Sequence, residues 1–130
     1  MVVGELFDKI TILEVKTGRI KDPTKLSNIE YELSHLRQIA ADQVEANSTL
    51  ALDQLRPLVE RLRHINSELW DIEDGKRAAE ARQIFDDAFI NLAREVYLKN
   101  DLRAAVKKEI NLLVGSSVIE EKSHLGAQLL

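Results

Sequence analysis

Apolar residues spaced alternately three and four positions apart run through most of this chain, and they constrain its fold more than any other feature. The longest series covers six consecutive positions, Leu55, Leu58, Leu62, Ile65, Leu69 and Ile72. Such a spacing places side chains on one face of an α-helix, whereas a half-buried strand alternates every second residue. The spacing therefore predicts an all-α protein.

Two shorter series predict two helices before this one. The first helix is expected over residues 3–20. Its apolar face is formed by Leu6, Ile10, Leu13 and Ile20. Asp22 then has the side chain of an N-cap, and Pro23 follows at the first helical position, where its missing N–H costs nothing. The second helix is expected to begin there and to end in a turn near residues 47–48.

Pro57 makes the start of the third helix less regular. Because proline removes a helical hydrogen bond, we expect either a start near Leu55 or a kink at the proline. Residues 50–54 are then a preceding turn.

The third helix must be separated from the fourth, because its apolar series falls out of phase with Phe85 and Phe89. We expect the break at residues 82–85 and not at Gly75. The fourth helix carries the series Phe85, Phe89, Leu92, Val96, Val106, Ile110 and Leu113.

Gly115 is expected to end the fourth helix. Ser117 and Glu120 then form a capping-box pattern, which predicts a short last helix over residues 118–124. The predicted fold is a four-helix, mainly antiparallel bundle with a short C-terminal helical extension. A length of 130 residues corresponds to one domain, residues 1–130.

Composition excludes several classes of function. A formal net charge of -4 gives no overall attraction to nucleic acid or to an anionic membrane, so neither is an expected partner. The chain has no cysteine, hence no disulfide and no thiolate metal site. Glu5 and Asp8 come too early for the apolar core of a signal peptide, and no apolar run is long enough to cross a bilayer. We expect a soluble protein located in the cytoplasm.

Two cations interrupt the apolar series of the fourth helix, since Lys99 and Arg103 occupy the positions that would complete it. If the last two helices form a hairpin that turns near residue 83, Lys99 lies level with Asn66 and Arg103 with Leu62. Other polar residues share this level, namely His64, Glu68, Asn100 and Asp101. The interruption is therefore expected to be a polar layer.

Three interpretations of this layer are open. We favour a structural layer that fixes helix register, with Glu68 and Asp101 as counter-ions. The cations can alternatively reach solvent along their apolar stems. The functional alternative is a site for phosphate, carboxylate or sugar phosphate. Its candidate anion-binding residues are Lys9, Lys16, Lys99 and Arg103, with Arg103 as a bidentate donor.

A cluster of carboxylates, Glu68, Asp71 and Asp74, has a three-residue spacing that could hold Mg²⁺. A solvated acidic face is the favoured interpretation, so we expect no metal and no cofactor. The histidines show no ligand spacing, and no nucleophile constellation is present. An enzymatic role is therefore the less favoured one.

Four stretches, GELFDKITILEVK, LWDIED, AREVYLKNDLRAAVKKEIN and GSSVIEEKS, are spread along nearly the whole chain. Together they resemble a family of small bacterial helical proteins of unknown function. Some members of that family occur near glycosyltransferase and surface-polysaccharide genes, so the resemblance implies a role close to sugar transfer. Thr17 and Gly18 depart from the pattern, which has larger helix-forming residues before Arg19.

The expected function is that of a binding or assembly module, which takes part in protein–protein interaction as a homodimer. Apolar residues at the two ends of the chain are candidates for the dimer contact, namely Val2, Val3, Leu125, Leu129 and Leu130. The alternative is a small enzyme or sensor that handles a phosphorylated or sugar-nucleotide ligand at the layer of Lys99 and Arg103.

Overall fold

The computed structural model describes residues 2–47 and 49–129, with side chains as far as Gly115. These residues form four helices and no strand: α1 (Val3–Arg19), α2 (Pro23–Ala46), α3 (Leu52–Arg82) and α4 (Asp87–Leu129). The prediction of an all-α, four-helix bundle is confirmed. None of the described helices combines the length and the apolar character needed to cross a bilayer.

The helix α1 is central, because it packs against each of the other three helices, while α3 packs along α4. Two groups of buried apolar residues result. One joins α1 to α2 through Leu6, Ile10, Leu13, Leu33, Leu36 and Ala40. The other joins α3 to α4 through Leu55, Leu62, Ile65, Leu69, Val106 and Ile110. Phe7 packs against both groups and so makes them continuous.

The predicted boundaries of α2 and of the hairpin between α3 and α4 are confirmed. The Asp22 side chain accepts a hydrogen bond from the Thr24 N–H, and Pro23 is the first residue of α2. After Arg82, Gln83 adopts a left-handed conformation with φ of 56° and ends α3. Gly75 stays inside α3, where a Cβ atom would lie 3.0 Å from a methyl group of Leu92.

Two predicted boundaries are wrong. The helix α3 begins at Leu52 and not near Leu55, so residues 52–54 are helical; Pro57 lies inside the helix, as one of the two alternatives requires. Loss of one N–H near a helix start is tolerated here because Leu55, in the first turn, is held in the core. The helix α4 also continues through Gly115 to Leu129, so no separate helix begins there. A helical glycine costs only about 1 kcal/mol relative to alanine, which is too little to end a long helix.

Candidate functional site

A buried carboxylate, Asp8, lies where α1 faces α3 and α4. Its side chain is only 2% exposed. Arg103 of α4 reaches it with two hydrogen bonds, from Nε to Oδ1 at 2.9 Å and from Nη2 to Oδ2 at 2.5 Å. Such a two-pronged contact fixes both the distance and the orientation of the two planar groups.

Asn66 of α3 completes the contact from a third helix. Its Nδ2 donates to Asp8 Oδ1 and to Thr11 Oγ1, both at 3.0 Å. The Thr11 hydroxyl lies 2.9 Å from the carbonyl oxygens of Phe7 and Asp8, to which it donates. We call Asp8, Thr11, Asn66 and Arg103 the Asp8 cluster. It ties α1, α3 and α4 together at one level.

Lys107 adds a second positive charge beside the Asp8 cluster. Its Nζ lies 3.6 Å from Asp8 Oδ2 and 2.5 Å from a carboxylate oxygen of Glu5. One turn away, the Gly4 N–H donates to Asn111 Oδ1 at 2.7 Å. The backbones of α1 and α4 therefore approach each other closely at this end of the cluster.

The electrostatics of the cluster keep Asp8 ionised. Burial alone would raise the pKa of Asp8, but hydrogen bonds from Arg103 and Asn66 and the charges of Arg103 and Lys107 outweigh it. The pKa of Asp8 is therefore lowered from its ordinary value. The hydrogen bond to Asp8 likewise raises the pKa of the Arg103 guanidinium. At neutral pH the two groups form a charged pair.

Lys99 belongs to a separate group of charges one turn along α4. Its Nζ lies 2.5 Å from Glu68 Oε2, and His64 Nε2 lies 2.8 Å from the other oxygen of Glu68. Glu68 is therefore a counter-ion, as expected, and the cation with which it pairs is Lys99.

The expected role of Asp101 as a counter-ion is wrong, because Arg103 pairs with Asp8 instead. Asp101 precedes Arg103 by two positions, which places it about 200° away around the helix axis and toward solvent.

The structure does not bring the four candidate anion-binding cations to one cleft. Arg103 helps to line a cleft of about 200 Å³ between α1, α3 and α4, together with Asn66, Trp70 and Arg77. Lys99 instead lines a shallow groove of about 580 Å³ between α3 and α4. Lys9 is exposed and Lys16 half-buried, and neither lines the Arg103 cleft. Anion binding at these residues stays a prediction.

Each of the three candidate metal-binding carboxylates lies against a cation. Glu68 contacts Lys99, Asp71 contacts Arg19, and Asp74 lies 3.8 Å from Arg77. Within the described residues, no three acidic, histidine or cysteine side chains are grouped as a metal ion would require. The arrangement favours ion pairing over metal coordination.

Sequence reasoning missed Asp8, the central residue of the cluster. The signal was a second series on the first helix, in which Gly4, Asp8 and Thr11 follow steps of four and three. Those positions face α3 and α4, whereas Leu6, Ile10 and Leu13 face α2. The helix α1 therefore has two buried faces, one lined by apolar residues and the other by small and polar residues.

The outer face of α4 has no covering element among the described residues. Five large apolar side chains on it are between 47% and 66% exposed: Ile90, Tyr97, Leu98, Leu102 and Leu112. Ile90, Tyr97 and Leu112 lie opposite Arg103 and Lys99, through which α4 contacts α1 and α3, whereas Leu102 at the edge of the face lines the groove between α3 and α4. We call it the outer α4 face.

Comparison of the chain with protein-family models, with curated proteins and with solved structures found no match in any of the three. The family resemblance of its motifs therefore stays a prediction. Function must be argued from the Asp8 cluster and from the outer α4 face.

Proposed function

We propose that the protein is a binding and assembly module, and that it acts as a homodimer in the cytoplasm. The observation that carries this proposal is the row of exposed apolar side chains along the outer α4 face. A contiguous apolar patch on a folded protein is typical of a surface that another protein covers. The chain has no cysteine, so its fold does not depend on disulfide formation in an oxidising compartment.

The Asp8 cluster supports a structural interpretation of the interrupting cation. Both oxygens of Asp8 already accept hydrogen bonds, and the cluster joins three helices. A paired charge of this kind sets helix register. Asp8, the charged side chain that is buried among the described residues, is thus used within the fold.

The ends of the chain contribute less to the proposal than the outer α4 face does. Val2 is exposed, but Val3 packs against the core between α3 and α4. The side chains of Leu125, Leu129 and Leu130 lie outside the described residues. The assembly surface is therefore assigned to α4.

Sedimentation equilibrium of the purified chain, from micromolar to millimolar concentration, tests the proposal. We expect a reversible monomer–dimer equilibrium. The variant Leu98→Ser/Leu102→Ser should shift it toward monomer without loss of helix content, because both residues are exposed. A monomer mass for the wild-type chain at every concentration would contradict the proposal.

A second candidate function is favoured by the cleft beside Arg103. Its Nη1 has only a long contact of 3.4 Å, to Asn100 Oδ1, so the guanidinium retains donor capacity. The carboxylate of Glu73 also lines this cleft and lies 3.7 Å from Lys76, while Arg77 and Trp70 supply a cationic and an aromatic group. Such groups suit a phosphorylated or sugar-nucleotide ligand, bound by an enzyme or a sensor.

Thermal-shift measurements with phosphate, sugar nucleotides and a chloride control test this second candidate. We expect a ligand-specific rise in melting temperature that Arg77→Met abolishes and Arg56→Met preserves. Arg56 is an exposed control on the same helix, outside the cleft. Equal melting temperatures in all these solutions would exclude the site.

A further inference from the structure

We infer that two copies of this chain pair antiparallel through their outer α4 faces, about a two-fold axis that passes between Tyr97 and Leu98. This inference rests on the proposed assembly function and specifies its surface, partner and register. A two-fold interface uses the same patch on both copies, so the patch must be complementary to itself. Charges along α4 meet that condition.

A second series of residues with steps of three and four runs along α4, opposite the series that faces the core. Its members are Asp87, Ile90, Arg94, Tyr97, Asp101, Ala105, Lys108 and Leu112. All of these side chains are exposed. A stripe of this geometry is the surface through which one helix packs along another.

Four charged residues of this stripe lack a partner of opposite sign within their own helix. They are Asp87, Arg94, Asp101 and Lys108. None has an opposite charge three or four positions away, which is the spacing that pairs charges on a helix. Within the described part of the chain, none of the four side chains makes a hydrogen bond or an ion pair.

The helix α3 differs from this stripe, because several of its charges have a partner on their own helix. Charges three or four positions apart are paired on α3, as in Glu60 with Arg63, Glu73 with Lys76 and Asp74 with Arg77. The four charges of the α4 stripe instead alternate in sign at intervals of seven residues.

Antiparallel pairing about the proposed axis matches these charges. It places Arg94 opposite Asp101 of the partner subunit, and Asp87 opposite Lys108 of the partner subunit. By symmetry each pair occurs twice. Between them, Tyr97 faces Leu98 of the partner subunit and Ile90 faces Ala105 of the partner subunit. Apolar contacts and opposite charges therefore coincide in a single register.

Neighbouring registers are unfavourable. A shift by one heptad in one direction places Arg94 opposite its own copy, and a shift in the other direction does the same for Asp101. Parallel pairing in register would place all four charges opposite themselves. Like charges opposite each other oppose association, whereas matched charges fix register. The charge pattern thus identifies a second copy as the partner.

Charge reversal tests this register. We expect Arg94→Asp and Asp101→Arg each to weaken dimerisation by about tenfold or more, because each places like charges opposite each other twice. The double variant Arg94→Asp/Asp101→Arg should restore wild-type affinity. Arg56→Asp, the same substitution on α3, should leave dimerisation unchanged. The register would be overturned if both single variants dimerised with wild-type affinity, or if the double variant remained monomeric.

Oxidative cross-linking provides an independent measurement in a chain without cysteine. Tyr97→Cys lies beside the proposed axis, where two facing helices bring the copies of one residue within disulfide reach. Tyr31→Cys makes the same substitution on α2, at a residue that is 81% exposed. We expect disulfide-linked dimers from Tyr97→Cys at dilutions where Tyr31→Cys stays monomeric.

Dimerisation and the α4 register of the dimer are contradicted by different results. A wild-type dimer in which Tyr97→Cys cross-links no better than Tyr31→Cys would overturn the α4 register while leaving assembly intact. A wild-type chain that is monomeric at every concentration would overturn both.

Discussion

Arg103 and Asp8 are 95 positions apart in the chain, yet they form a two-pronged ion pair in which the carboxylate is almost fully buried. The pair joins α1 to α4 at one fixed level along the bundle. Removing a single partner of such a pair leaves the other charge stranded, which costs more than the pair itself contributes.

Arg103→Met is therefore expected to lower the free energy of unfolding by about 3 kcal/mol. Asp8 would keep its hydrogen bond from Asn66 but lose its principal cation. Urea denaturation monitored by circular dichroism measures the change. Adding Asp8→Leu to the same chain should recover much of the loss, because no buried charge then remains.

Lys99→Met provides the matched control on the same helix face. Its partner Glu68 is about one-third exposed and also contacts His64. We expect a loss of less than about 1 kcal/mol, as for other partly exposed pairs. Equal losses for Arg103→Met and Lys99→Met would show that the burial of Asp8 has no energetic consequence.

The stability of the fold should also depend on pH through Asp8. Its pKa is lowered in the folded state, where burial opposes but does not cancel the hydrogen bonds and charges of Arg103, Asn66 and Lys107. Between the ordinary aspartate pKa of 3.8 and the lower folded-state pKa, the unfolded chain therefore binds a proton that the folded chain does not.

The stabilisation by Asp8 is accordingly present above that pH and lost as the pH falls through the lower, folded-state pKa. Urea denaturation at a series of pH values should show wild-type stability falling more steeply in acid than that of Asp8→Asn. Parallel curves for the two chains would contradict the assignment of the lowered pKa to Asp8.

The sequence predicts the helices well and the cluster only in part, for a physical reason. Helical periodicity is a local property, so the Asp22 cap and the turn after Arg82 could be located without tertiary information. The partner of Arg103 depends on which helix lies beside α4. Adjacent helices in the chain suggested a partner on the third helix or on α4 itself, whereas Asp8 comes from α1.

Gly115 shows that a local sequence signal can also predict a helix end wrongly. A glycine followed by a capping-box pattern predicts a helix end, but α4 continues past it. Such signals have an energy of about 1 kcal/mol, which favourable helix formation on both sides can exceed.

Divalent metal should leave the melting temperature of the protein unchanged. The carboxylates Glu68, Asp71 and Asp74 are matched by Lys99, Arg19 and Arg77, so a metal ion would have to displace a cation from each. Thermal-shift measurements with millimolar Mg²⁺ or Mn²⁺ check this. A reproducible rise that Asp71→Asn abolishes would establish a metal site.

The close approach of α1 to α4 at Gly4 yields the last prediction. A Cβ atom at Gly4 would lie 2.6 Å from the carbonyl oxygen of Lys107 and 2.8 Å from Asn111 Oδ1. Because a backbone atom cannot move aside cheaply, Gly4→Ala should force α1 away from α4. We expect a loss of about 1 to 3 kcal/mol in unfolding free energy, measured by urea denaturation.

Gly18→Ala is the matched control on the same helix, since no atom outside the helix backbone lies within 4 Å of the position of its Cβ. Alanine there should leave stability unchanged or raise it by up to about 1 kcal/mol, through the higher helix propensity of alanine. The two substitutions are chemically identical, so a difference between their effects on the free energy of unfolding is due to the contact of Gly4 with α4. If Gly4→Ala were as stable as Gly18→Ala, the two helices would not meet as closely as the hydrogen bond from Gly4 to Asn111 indicates.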